Sequence, residues 1–221
     1  IDEVLKPYSD AFEIIKTASY QSDKDASKIN ALFGWLNQID NFDWVPPAIV
    51  YLSANSKNPS ELLKFLTDLE RLAAGLMIKR ADINERIERY ALLLSAIDNK
   101  VDLYAPDSPL QLTLDEQKQI VEVLNGDLYL IARIRQYVLL RLDTALSAGG
   151  AIYNLPIISV EHVLPQNPSE DSVWLQWFPT PAEREKYVHR IGNLALLSRR
   201  KNAQAQNYDF ATKKEKYFRT P

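Results

Sequence analysis

"SVEHVLPQNP" (residues 159–168) places an acid and a histidine, Glu161 and His162, at the end of a β-branched and apolar run and just ahead of two prolines. A strand end can hold a reactive side chain rigidly while water and substrate still reach it. Neighbouring residues of a strand point to opposite sides. Glu161 and His162 can therefore address one ligand only if the strand ends or twists there, and Pro165 is consistent with such an end. Taken alone, the pair reads as well as a turn that contains one of the chain's two histidines.

The sequence on either side gives this stretch its setting. The strand is expected over 157–163, followed by a long polar loop containing Trp174 and Trp177 and a short helix, "PAEREKYVHR" (181–190). A second apolar run, "NLALLS" (193–198), reads as another strand. "NYDFATKKEKYF" (207–218) has helical spacing, with Phe210, Lys213, Lys214 and Tyr217 at three- and four-residue steps. Upstream, residues 1–148 read as helical. "SELLKFLTDLERLAAGLMIKR" (60–80) puts Leu62, Leu63, Leu66, Leu69, Leu72 and Leu76 on one stripe, with Pro59 and Ser60 at its start. "ADINERIERYALLLSAI" (81–97) repeats the pattern with Ile83, Ile87, Tyr90 and Leu94, and 28–39 and 127–147 read as further amphipathic helices. Pro46, Pro47 and the "APDSP" turn (105–109) punctuate the series. Gly149 and Gly150 mark the change of character and give the expected boundary. The expected organisation is thus α+β and mostly α, a helical domain over 1–150 and a smaller domain over 151–221.

Composition narrows the function classes. With 46% hydrophobic and 25% charged residues the chain has the make-up of a globular protein, not of a disordered one. No apolar run approaches the roughly 20 residues that span a bilayer, so no membrane role is expected. The absence of cysteine excludes disulfides, a thiolate zinc knuckle and a thiol nucleophile, and points to a reducing, cytoplasmic location. The chain lacks an initiator methionine and reads as part of a longer one. The net charge is −3, yet Arg184–Arg219 carries ten Lys and Arg against three acids. A basic end on an acidic body suggests a polyanion site confined to that end; a solvated helix face is the plainer reading of the same charges.

Three stretches together, "SVEHVLPQNP" (159–168), "YVHRIGNLALLSRRKNAQAQN" (187–207) and "FATKKEKY" (210–217), resemble the HNH (His-Me finger, ββα-metal) nucleases. Within that group the chain is most similar to the C-terminal nuclease domain of GmrSD-type modification-dependent restriction proteins. The resemblance implies a ββα-metal unit after the helical region. It also implies a metal-dependent DNA endonuclease or nickase of a bacterial defence system, using Mg²⁺ or Mn²⁺. Such proteins carry an N-terminal nucleotide-hydrolysing sensor domain; no G-x-x-x-x-G-K loop occurs among the six glycines here. A homo-oligomer is compatible with the sequence.

Phosphodiester hydrolysis needs a base for water, a cation for the phosphate and a rigid frame for both. A neutral imidazole accepts a proton near pH 7, which makes His162 the expected base. A hard cation prefers oxygen ligands, which Glu161 and Asn202 supply. The resemblance gives Asn193 the structural task of holding the loop that presents the histidine. Arg199, Arg200 and Lys201 beside the metal loop are expected at phosphates, with Lys213 and Lys214 as further DNA contacts or a solvated face. His189 is expected to be structural or a phosphate contact. Asn207 lies in the same DNA-facing stretch but most simply caps the last helix, and Asn202 could equally be an N-cap. The alternative function is a non-catalytic DNA-binding or protein-interaction module retaining the ββα fold.

Overall fold

Leucine spacing builds the first half of the molecule. The structure, a computed structural model, describes residues 2–147, 158–205 and 207–218. They divide into two compact units, Ile1–Val121 and Glu122–Pro221. The expected boundary at Gly149 and Gly150, and the start of the strand expected from 157, lie outside the described residues.

The first unit contains α1 (Asp2–Thr17), α2 (Ala26–Leu36), α3 (Val45–Asn55), α4 (Pro59–Ile78) and α5 (Ile83–Asp98), and the division falls within α6 (Leu114–Leu124). The α4 helix is its centre, packing on α2 and α3. Leu62, Leu66, Leu69, Leu72 and Leu76 are all essentially inaccessible to solvent, as their periodicity requires, and Phe65 stacks on Tyr51 with ring centroids 3.8 Å apart. Pro46 and Pro47 do not interrupt a helix; they open α3, where a fixed φ and a missing N–H cost nothing. Gly75 lets α4 approach its neighbours, since a β-carbon there would lie 2.9 Å from Leu112 Cδ2.

The stripe expected on α5 is rotated. Ile83 and Ile87 face solvent, while Tyr90, Leu93 and Ala96 are buried. Charge pairing decides this. Arg86 donates to Asp43 at 2.7 Å and Arg89 grips Glu116 at 2.5 and 2.6 Å, so the inward face of α5 carries guanidinium groups whose partners lie far away in sequence.

In the second unit, α7 (Ala132–Leu146) is preceded by a single 3₁₀ turn, Leu128–Leu130. Strand β1 (Ile158–His162) pairs antiparallel with β2 (Leu194–Ser198), Glu161 opposite Ala195 and His162 opposite Leu194. The long connection between them holds α8 (Val173–Trp177) and α9 (Pro181–Val188). Thr180 and Glu183 form a reciprocal capping box that fixes the start of α9. After β2 come α10 (Arg199–Ala205), which packs on both strands, and α11 (Phe210–Lys213), continued by a π-helical turn over Lys214–Phe218. Two elements are thus additional to the expected strand–loop–strand–helix order, α8 and α10. Among the described residues no helix is long and apolar enough to cross a membrane.

The rotated α5 stripe is directly testable. Phe65→Ala should lower unfolding stability by about 3–5 kcal/mol, as for other buried aromatics, and Ile87→Ala by no more than about 0.5 kcal/mol. Urea denaturation of both variants checks it; a large loss at Ile87 would contradict the observed orientation.

Candidate functional site

At His162 strand β1 stops, and Asn193 is the reason. Its side chain accepts the Leu164 amide at 2.6 Å, donates to Leu164 O at 3.0 Å and to Val188 O at 2.9 Å, and its own carbonyl accepts from Val163 N at 2.9 Å. One buried amide therefore turns the chain away from the sheet directly after His162 and ties that turn to the end of α9. The turn brings Glu161 and His162, which leave the strand on opposite sides, to the wall of one open cleft of about 380 Å³.

Asn202 reaches the same cleft from within α10. Its position inside the helix rules out the N-cap alternative. Both protons of its amide are directed at β1, to Ser159 Oγ at 2.9 Å and Val160 O at 3.3 Å, which leaves the oxygen to serve the cleft. Asn207 also lines the cleft and does not cap the last helix, since the N-cap position is Asp209. Arg199 and Arg200 are exposed at the start of α10 and Lys201 is half-buried, so the basic run lies on the element that carries Asn202.

Lys213, expected at the DNA surface, lies elsewhere. It is 0% exposed, and its ammonium donates to Glu161 Oε1 at 2.5 Å, His162 O at 2.7 Å and Val163 O at 3.3 Å. Three donors meet three oxygens, and this is the condition under which a buried ammonium is tolerated. Lys214, by contrast, is exposed. The placement of α11 follows from Trp174, which is buried, donates to Tyr208 O at 3.3 Å and packs against Phe210, while Ser172 Oγ donates to Asp209 at 2.6 Å.

His162 as a residue is 7% exposed. Tyr129, from the 3₁₀ turn before α7, sets its ring edge-on at 4.1 Å; His189 stacks on Tyr129 at 5.5 Å and also meets His162 edge-on at 5.8 Å. Arg135 stands over the Tyr129 ring at 4.5 Å and donates to Tyr129 O at 2.7 Å. Nε2 of His162 and Nδ1 of His189 are both enclosed without a hydrogen-bond partner among the described residues. Nδ1 of His162 lies 3.4 Å from the amide nitrogen of Gln166, which lines the cleft. For Nδ1 to accept a proton there, the ring's own hydrogen must sit on Nε2. Tyr129, Arg135 and Gln166 were not legible as site residues, the first two because they lie some thirty residues before the strand in a segment that reads only as helix.

Among the described residues, no three His, Asp or Glu side chains gather as a preformed metal cage. Glu161 and Asn202 line the cleft, and neither the second carboxylate oxygen of Glu161 nor the amide oxygen of Asn202 is hydrogen-bonded among the described residues. This pair fits a hard divalent cation that keeps most of its water.

Burial, then the charges of His189, Lys213 and Arg135, push the His162 imidazole from 6.5 down to about 4. Its folded-state pKa lies below the unfolded value, so its neutral form contributes stability above pH 6.5 that is lost as the pH falls towards 4. In metal-free protein the His162 ring nitrogens, followed by ¹⁵N NMR, should show a neutral ring at pH 5.5 and half-protonation near 4; a midpoint near 6.5 would contradict the enclosed geometry.

Neither a curated protein nor a solved structure matches the chain. A family model does: that of GmrSD restriction endonucleases, C-terminal domain, matches residues 117–221, a segment that begins five residues before the second compact unit and ends with it. That part of the chain, which holds the Glu161–His162 strand end, Asn193 and the α10 asparagine, is similar to the C-terminal domain of GmrSD restriction endonucleases.

Proposed function

We propose that the second unit is a metal-dependent DNA endonuclease or nickase of the HNH type, serving a bacterial system of defence against foreign DNA. In this reading β1, β2 and α10 are its ββα-metal core. The observation that carries the reading is the convergence of Glu161, His162 and Asn202, from a strand end and a separate helix, on one open cleft.

His162 is the base. Its Nδ1, at the cleft-lining Gln166, takes a proton from water; the water oxygen bonds to phosphorus and the bond to the 3′ oxygen breaks. Enclosure keeps the ring neutral at physiological pH and fixes its orientation, so the accepting nitrogen needs no reorganisation. Glu161 and Asn202 would hold Mg²⁺ or Mn²⁺. A cation bound there supplies Lewis acidity to the phosphate and the departing 3′ oxygen. Asn193 acts on neither substrate nor ion; it holds the turn that presents His162. The exposed Arg199 and Arg200, with Lys201 and Lys214, give the DNA backbone a cationic bank, and phosphate contacts of this kind position without reading sequence. His189 supports the imidazole directly, edge to face, and together with Tyr129. A nucleotide-hydrolysing sensor domain would supply the trigger in the cytoplasm.

One observation favours the alternative, a non-catalytic DNA-binding module: Glu161 is already neutralised by Lys213. Incubation of supercoiled plasmid with the protein and Mg²⁺ or Mn²⁺ separates the two readings. Cleavage is expected, slowed by a factor on the order of 10²–10⁴ in His162→Ala, the loss typical of a missing general base. Glu161→Ala and Asn202→Ala should lose activity that excess metal partly restores. Cleavage by His162→Ala at the wild-type rate would overturn the assignment.

A further inference from the structure

The basic residues of the C-terminal segment divide into two kinds. Arg199, Arg200 and Lys214 are exposed, whereas Lys213 is wholly enclosed against the strand end that bears Glu161 and His162. A buried ammonium is costly unless each of its protons finds an oxygen. Here all three do, and one of those oxygens belongs to Glu161, the only acid among the described residues lining the cleft. The other two are the carbonyls of His162 and Val163, at the point where β1 turns. Lys213 thus fixes the carboxylate and the backbone of the base together, and it cancels the cleft's single negative charge.

We propose that Lys213 makes divalent-cation binding conditional on DNA: with Glu161 neutralised, the cleft holds the ion only when a phosphodiester adds the missing negative charge. Lys213 is a positioning residue in this scheme; it touches neither the ion nor the substrate. The inference rests on the nuclease reading given above and concerns how that same site is loaded. The protein's own ligands are one shared carboxylate and one neutral amide, too little charge to retain a divalent ion beside an ammonium. A phosphate oxygen entering the cleft restores the balance. Ion and DNA then stabilise each other's binding by the same factor, as thermodynamic linkage demands. The nuclease is therefore charged with metal on DNA and not before it.

The test is Mn²⁺ binding followed by electron paramagnetic resonance, on the His162→Ala chain so that DNA stays intact. Titrations are run alone and with a mixed-sequence duplex at low salt, with duplex-only controls. Mn²⁺ affinity should rise by about tenfold or more when the duplex is present, and duplex affinity should rise by the same factor with Mn²⁺. Adding Lys213→Met should tighten DNA-free Mn²⁺ binding by about the same factor and shrink the coupling. If that variant does not fold, the reciprocal measurement on the chain with native Lys213 still decides. Equal Mn²⁺ affinity with and without DNA would overturn the proposal while leaving the plasmid result, and so the nuclease reading, untouched. A folded Lys213→Met chain with unchanged Mn²⁺ affinity would likewise overturn the role of Lys213. Failure to bind Mn²⁺ in either state would overturn both this proposal and the metal assignment to Glu161 and Asn202.

Discussion

The two-way pairing of the Asn193 side chain with Leu164, amide to oxygen at 2.6 Å and oxygen to amide at 3.0 Å, is the constraint on which the rest of the second unit depends. Glu161 and His162 leave β1 on opposite sides, and the turn that follows them brings Pro165 and Gln166 to the cleft that both line. By satisfying both backbone groups of Leu164, Asn193 replaces the next ladder step with a side chain and ends the strand at the residue where two chemistries must meet. A buried amide that serves a backbone donor and two backbone acceptors is hard to replace, because any smaller residue leaves those groups unpaired in the interior. The Lys213 ammonium closes the same turn from the other side.

Around this turn the unit separates two environments a few ångströms apart. His162 is pressed against Tyr129 and mostly enclosed, with Nδ1 at the cleft-lining Gln166, so burial favours its neutral ring. Glu161 and Asn202 present oxygens to an open cleft, next to an α10 whose first residues are exposed arginines. A neutral proton acceptor and an oxygen-rich ion site make opposite demands on solvent. In the proposed mechanism the strand end would meet both, because its two last side chains leave in different directions. Trp174 contributes at a distance: by seating Tyr208 and Phe210 it sets the start of α11, and with it the depth at which Lys213 enters.

Much of this was legible in the sequence where residue type and spacing carry the information locally. The α4 leucines and the presence of two short strands are of that kind, whereas the loop-holding role of Asn193 came from the resemblance alone. The phase of α5 was not, because Arg86 and Arg89 turn inward to partners at Asp43 and Glu116 that no periodicity reveals. Asn207 read as a helix cap because asparagine commonly is one, yet the helix starts two residues later and Asn207 lines the cleft. Lys213 carried no signal that separates it from Lys214, which has the same three- and four-residue spacing from Phe210 and Tyr217 and is exposed. Tyr129 and Arg135 carried none; they meet His162 only through the tertiary fold.

The account stands or falls on the division of labour between oxygen and nitrogen at the end of β1. The most direct measurement is an anomalous difference map from crystals of the protein grown with duplex DNA and Mn²⁺. The account predicts one peak in the cleft, bonded to a carboxylate oxygen of Glu161, the amide oxygen of Asn202 and a phosphate oxygen, with the His162 ring unligated. A peak bonded to an imidazole nitrogen of His162 or His189 would contradict it.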